Sequence, residues 1–193
     1  MSFDGKEDRR VRRTKKVLRE ALAELLMEKN IQNITVRELT DKADVNRSTF
    51  YANFKDIFDL YSQVEDVVIQ EINEILSTEH NLDAKIFFNT LLRYIFDNKQ
   101  ISRLVLTDGA NGVFIRRISI LFKDLCVECW IKEYNLKCSE NELEPYAQFF
   151  LSGSIGVIRE WVSSNYEYPL DNVMALLSDI DYGFGNHIKD KFI

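Results

Sequence analysis

An all-α chain is expected here from three observations. Only 7 Gly and 2 Pro occur among 193 residues, too few to punctuate the many turns of a β-sandwich or barrel. Apolar residues recur at three- and four-residue spacing through most of the chain, the period of a helix with one buried face. Thr35-Val36-Arg37-Glu38 and Ser139-Glu140-Asn141-Glu142 both match the capping box, in which a hydroxyl and a Glu three residues on satisfy each other's unpaired N–H groups at a helix start. With 46% apolar and 29% charged residues, the composition is that of a folded globular protein. The length allows one large domain, or a small one joined to a larger one.

The first helix is expected from Arg10 to Asn30. Val17, Leu18, Ala21, Leu22, Leu25 and Leu26 mark its apolar face, and Lys16, Glu20, Glu24 and Glu28 share another face at i,i+4. A second helix begins at Thr35 and turns Val36, Leu39 and Ala43 inward. After Asp44-Val45, Asn46 caps a short third helix running to about Phe54. Further helices are expected at about Ile57 to Leu76, Asp83 to Asn98, Ile101 to Leu106, Val113 to Leu136, Glu140 to Ser163 and Asp171 to Ile188. The breaks between them fall at Asn98-Lys99-Gln100, at Asp108-Gly109-Ala110-Asn111-Gly112 and at Asn165 to Pro169.

Charge is unevenly distributed. Through Lys55 there are 13 Lys and Arg against 9 Asp and Glu, a net of +4, whereas the remainder carries −10, giving −6 for the whole chain. Seven basic residues (Arg9, Arg10, Arg12, Arg13, Lys15, Lys16, Arg19) lie within eleven positions, dense enough for a local anion-binding surface. A solvated helix face would look the same by charge alone.

Two short helices joined by a tight turn and preceded by a longer one are the ingredients of a helix-turn-helix, whose second helix enters the DNA major groove. Phe50 and Phe54 at i,i+4, with Val45, are expected to anchor that helix, leaving Arg47, Ser48, Thr49, Tyr51 and Asn53 facing out. Arg pairs bidentately with guanine and Asn with adenine, while Ser, Thr and Tyr reach base edges or phosphates. Two aromatics pinning an ordinary surface helix is the plainer alternative.

The string Arg47-Ser48-Thr49-Phe50-Tyr51-Ala52-Asn53-Phe54-Lys55-Asp56, with Thr35-Val36-Arg37-Glu38-Leu39, Ala43-Asp44-Val45 and Leu60, resembles the TetR/AcrR family of bacterial transcriptional regulators. The resemblance spans about residues 9 to 61. Farther on, Phe150-Leu151-Ser152-Gly153-Ser154-Ile155-Gly156 followed by Trp161 looks like the penultimate helix of one branch of that family. It implies a helix-turn-helix DNA-binding domain over residues 1–56 with a basic N-terminal arm (Arg9, Arg10, Arg12, Arg13). Residues 57–193 would then form a helical effector-sensing and dimerisation domain. It further implies that Thr35 contacts phosphate, that Asn46, Arg47, Ser48, Thr49, Tyr51 and Asn53 lie at the DNA, and that Lys55 contacts the backbone. The chain departs from the pattern at Asp44, where the family often has Gly, at Ser48, often Gly or another small residue there, and at Ile57, where a phosphate-touching Lys commonly opens the fourth helix.

The resemblance also implies a homodimer joined through the last two helices, a palindromic operator, and an effector, either a small molecule or a protein, that releases DNA. Phe149, Gly153, Gly156 and Trp161 are the candidate dimer seam, though an intrachain helix crossing explains the two glycines equally well. The middle helices carry Phe87, Phe88, Tyr94, Phe96, Phe114, Phe122, Trp130 and Tyr134. Of these, Phe88, Tyr94, Phe114, Phe122 and Trp130 are candidate pocket residues, although aromatic stripes are usually core. A repressor is expected, with an activator or adaptor controlled by a protein partner as the alternative.

Catalysis and metal binding find little support. No Gly-rich phosphate loop, HExxH or nucleophile elbow occurs, and the only histidines are His80 and His187. Cys126, Cys129 and Cys138 are too few for structural zinc and suit buried thiols in a reduced compartment. The chain is therefore expected to be a cytoplasmic non-enzyme without cofactor or metal. Its N-terminus lacks the apolar run of a secretory signal.

Overall fold

The computed structural model describes residues 9–78, 84–107 and 112–192. Among them are helices α1 (Arg9–Leu26), α2 (Val36–Lys42), α3 (Arg47–Tyr51), α4 (Ile57–Thr78), α5 (Ala84–Asp97), α6 (Lys99–Thr107), α7 (Val113–Tyr134), α8 (Glu140–Ser163) and α9 (Leu170–Phe192), and no strand. His80 and positions 108–111, named above, lie outside the described residues.

The apolar face expected of α1 is the buried one, with Leu18, Ala21, Leu22, Leu25 and Leu26 in the core and Val17 half-buried. The helix stops short of Asn30 because Asn30 caps a separate 3-10 turn (Ile31–Asn33), its Oδ1 accepting from the Gln32 N–H at 3.3 Å. That turn drives Ile31 and Ile34 into the core, so tertiary burial outweighs helix continuation. Thr35 caps α2, accepting from the Glu38 N–H at 3.2 Å. The Glu38 carboxylate is taken up chiefly by Lys29, a charge-assisted bond, with the Thr35 N–H, the return half of the capping box, as its weaker partner. A second ion pair, Lys42 to Glu24 at 2.9 Å, braces α2 on α1. Glu38 is held below the ordinary carboxylate range, chiefly by Lys29, and Lys42 is raised, chiefly by Glu24.

Expected to run to Phe54, α3 ends at Tyr51. The Asn53 Nδ2 donates to the Thr49 carbonyl at 2.8 Å, occupying the acceptor a further helical turn would use, and the Asn53 N–H turns to Phe50 O at 2.9 Å. Next comes a cap the sequence reading did not single out. The Asp59 N–H donates to Asp56 Oδ1 and the Lys55 N–H to Asp59 Oδ2, both at 2.8 Å. The Lys55 N–H first, and then the Gln63 Nε2 that donates to Asp59 Oδ1 at 3.2 Å, hold the Asp59 carboxyl below its usual range.

Past Ile57, the expected break at Asn98-Lys99-Gln100 narrows to Asn98, since α6 already begins at Lys99. Asn98 donates twice to Tyr94 O, through its N–H and its Nδ2, both at 3.0 Å. Gly112 (φ +65°) precedes α7, and Asn135 (φ +51°) ends it in the left-handed conformation that satisfies terminal carbonyls. α8 has the expected bounds. At its start the Glu142 carboxylate accepts from the Ser139 N–H at 2.9 Å and hydroxyl at 2.8 Å.

One hydrophobic core runs from Leu18 of α1 to Ile188 of α9. α1 packs against both α2 and α6, α7 lies along α8, and α9 packs on α5 and α8. α4 spans the two halves: Ile57, Leu60 and Tyr61 are buried near its start and Val68 and Ile72 farther along.

Candidate nucleic-acid interface

Phe50 and Phe54 are buried, their ring centroids 5.6 Å apart, and Val45 packs half-buried against the same core. That anchoring sets which side chains of α3 face water. Arg47 and Ser48 are exposed, and Tyr51 is 58% exposed with its ring edge-on to Phe50 at 5.4 Å. Thr49 and Asn53 are only half-buried rather than fully outward. Asn53 spends its amide N–H on the Thr49 carbonyl. Asn46 caps α3, its Oδ1 accepting at 3.0 Å from both the N–H and the hydroxyl of Ser48, which leaves its Nδ2 as the donor for another partner.

Thr35 at the start of α2 and Lys55 after α3 are exposed. So are Arg9, Arg10, Arg12 and Arg13 in the first turn and a half of α1, a stretch without an acidic residue. Between α2 and α3, Asp44 adopts φ +52°. This is the left-handed region that glycine occupies at no steric cost and Asp tolerates better than most residues. In the sequence Asp44 is visible only as a non-glycine, and its backbone conformation is not. Ile57, at the position of the absent Lys, is buried and serves the core.

The candidate pocket residues separate into two groups. Tyr94, Phe114 and Phe122 line a cavity of about 40 Å³ that is also walled by Val68, Ile72 and Ile158. Phe88 and Trp130 do not line it. They pack instead around Phe150 of α8, with centroids 6.0 and 5.6 Å away, and Trp130 also meets Phe184 of α9. The aliphatic walls were not recognisable in advance, because nothing local distinguishes a cavity-lining Ile from a core Ile.

The seam candidates also separate. Phe149 is 73% exposed and stacks on Phe184 at 6.0 Å. Gly153 and Gly156 are exposed, and a Cβ on either meets nothing within 4 Å, so among the described residues no helix crosses there. Trp161 is buried: it stacks on Phe96, meets Tyr166 edge-on at 4.9 Å, and donates its indole N–H to Tyr168 O at 2.8 Å. Its amphipathic ring closes the corner between α8 and α9 and is spent within the chain. On α9, Leu176 and Ile180 (46% and 40% exposed) form an i,i+4 apolar pair that the sequence reading passed over. The three thiols are half-buried. Burial, with smaller contributions from Cys129 and Asp181, pushes Cys126 up to about 12. Among the described residues no helix is long and apolar enough to cross a membrane.

The family model described as "Bacterial regulatory proteins, tetR family" matches residues 18–64, and the one described as "Transcriptional regulator C-terminal region" matches residues 82–180. The chain belongs to the TetR family. Regulators of this family bind DNA and typically act as dimers. No curated protein matches the sequence. Among solved structures the TetR chain is similar to FadR, a fatty acid degradation regulator from Bacillus halodurans, with 16% identity, a TM-score of 0.69, and coverage of 89% of this chain and 94% of that one. It is similar to a TerR/AcrR-family regulator from Aquifex aeolicus VF5 (17%, TM-score 0.65, 86% and 96%). It is also similar to the dihydroxyacetone kinase operon activator DhaS (19%, TM-score 0.62, 91% and 96%). At such identities the likeness concerns the fold.

Proposed function

We propose that this TetR regulator is a homodimeric repressor that reads a palindromic operator and lets it go when an effector occupies its C-terminal half. Residues 1–56 are the DNA-binding domain and residues 57–193 the sensing and dimerisation domain. The observation that carries the reading is the outward set Arg47, Ser48 and Tyr51, held on a short helix by buried Phe50 and Phe54. Arg47 is the base-reading side chain, Thr49 and Asn53 act at its flank, and Tyr51, Ser48, Thr35 and Lys55 engage the backbone. Asn46 orients the helix start through its cap and offers Nδ2 to the DNA. Arg9, Arg10, Arg12 and Arg13 add the salt-dependent part of the affinity.

Dimerisation through α8 and α9, with Phe149, Gly153, Gly156, Leu176 and Ile180 at the seam, spaces two reading heads one helical turn apart, roughly 34–36 Å. A second reading, an activator or adaptor governed by a protein partner, draws on the small size of the cavity and on the likeness to DhaS.

The test is a footprint of the full-length protein on the intergenic DNA upstream of its own gene, at two salt concentrations and against a random duplex. A protected palindrome that survives the higher salt is expected. Arg47→Ala and Tyr51→Ala should each lose that protection, about 10-fold or more in affinity, while remaining dimeric on a sizing column. Wild-type operator affinity in both variants would overturn the assignment of α3.

A further inference from the structure

Among the described residues Phe149 is the most exposed large apolar side chain, at 73%, yet it is held in place: its ring stacks on Phe184 at 6.0 Å with the planes 19° apart. Farther along α8 come Gly153 and Gly156, where a Cβ would meet nothing within 4 Å, and then exposed Glu160. At spacings of four, three and four residues these positions form one stripe of the helix. Glu160 opens onto a groove of about 290 Å³ between α8 and α9, with Val157, Trp161, Val173 and Leu176 as its apolar walls and Glu160 as its only charge. The Trp161 wall is fixed in advance, stacked on Phe96 and donating its indole N–H to Tyr168 O at 2.8 Å. A rigid knob and a preformed groove thus lie at opposite ends of one bare stripe. They cannot meet within a chain, because eleven residues of helix separate Phe149 from Glu160, about 16 Å.

We propose that this groove is the seat of Phe149 from a second copy of the chain, entered reciprocally, with the two α8 helices crossing in opposite senses at Gly153 and Gly156. The inference rests on the α8–α9 dimer proposed above and gives it a register. Position carries it. The midpoint between Phe149 and Glu160 falls between the two glycines, so a two-fold axis there brings each Phe149 to the groove end of the other α8. In a two-fold interface every contact is made twice, and this chain holds both halves of one at equal distances from a bare crossing point. The missing side chains let the helix axes approach to the short end of the usual range of roughly 8–10 Å. Size agrees, since a benzene-sized guest needs a cavity of roughly 150 Å³ and the ring enters without moving the walls. Charge sets the sense of the crossing. Helices running in the same sense would put Glu160 against the partner's Glu160, two like charges face to face. Opposite senses give that carboxylate the positively polarised edge of an aromatic ring instead.

The experiment is sedimentation equilibrium and cross-linking of the full-length protein, without DNA. Phe149→Ala should keep its helical content and weaken the dimer at least about 10-fold. Leu176→Ala, on the groove side of the contact, should weaken it too, and the two losses should be less than additive when combined, because the residues share one contact. Cysteine variants are then treated, at high protein concentration, with a bismaleimide too short to span about 16 Å. The unsubstituted chain is the control for its own three thiols. A covalent dimer is expected from Phe149→Cys combined with Glu160→Cys and from neither substitution alone. A covalent dimer from Phe149→Cys alone would overturn the crossing sense. No covalent product from the combined variant, additive losses, or a dimer that Phe149→Ala leaves unweakened would overturn the seat of Phe149. In each of these outcomes the unsubstituted protein is still a dimer, whereas a monomeric unsubstituted chain would overturn the α8–α9 dimer itself, so the two failures are distinct.

Discussion

Glu65 on α4 is only 4% exposed, and its Oε1 has no hydrogen-bond partner. In the sequence it stands in Val64-Glu65-Asp66-Val67-Val68, where it looks like any solvated carboxylate; only packing shows that Asp66 faces Arg117 at 2.8 Å while Glu65 turns inward. Burial raises the Glu65 carboxyl above 4.5, opposed by the Arg117 guanidinium and the Tyr61 hydroxyl and reinforced by Asp66. The folded chain thus holds this proton more tightly than the unfolded chain. Its contribution to stability is complete below pH 4.5 and is lost as pH rises through the raised value. Glu65→Gln, which mimics the protonated form, should stabilise the protein by about 1 kcal/mol at pH 7.5. The gain should shrink toward pH 4.5 in urea titrations, and an equal gain at both pH values would contradict the account.

At the scale of elements, the turn between α2 and α3 stores backbone strain at one residue. Asp44 at φ +52° sits where glycine would relax the backbone, at the cost of a more flexible unfolded chain. Asp44→Gly should therefore stabilise modestly, by about 0.5–1 kcal/mol, with no loss of operator affinity; chemical denaturation and a binding titration check both. Helix starts were legible where a capping side chain stands beside an apolar run, as at Thr35, Asn46 and Ser139. Helix ends were less so. α1 and α3 each stop early because an Asn side chain takes part in a competing hydrogen bond, at Asn30 and at Asn53. The Asp56–Asp59 cap was equally readable, since two carboxylates three apart precede Leu60 and Tyr61.

For the whole molecule, the exposed glycines of α8 offer a clean separation of fold from assembly. A Cβ at Gly153 would meet nothing within 4 Å among the described residues, so Gly153→Leu should preserve helicity and even strengthen α8, because glycine is a poor helix former. If α8 crosses its counterpart in a second copy at this point, the added bulk will shift the protein to monomer in sedimentation and lower operator affinity at least about 10-fold, since half-site cooperation is lost. An unchanged dimer would move the seam elsewhere.

The helical architecture and the short helix α3 proposed to read DNA are written locally. Apolar periodicity, caps and the Arg47 to Asp56 string depend on neighbours no more than four residues apart, and those signals survive without knowledge of the fold. The division of labour among the aromatics was not local. Trp161 and Gly153 lie on one helix eight residues apart, yet one is sealed into a corner by Phe96, Tyr166 and the Tyr168 carbonyl while the other faces open solvent. Phe88 and Phe114 look alike in sequence, and only the meeting of α4 through α8 makes the second a cavity wall and the first core. Burial of Glu65 is of the same kind, because whether a side chain meets water depends on elements dozens of residues away in the chain.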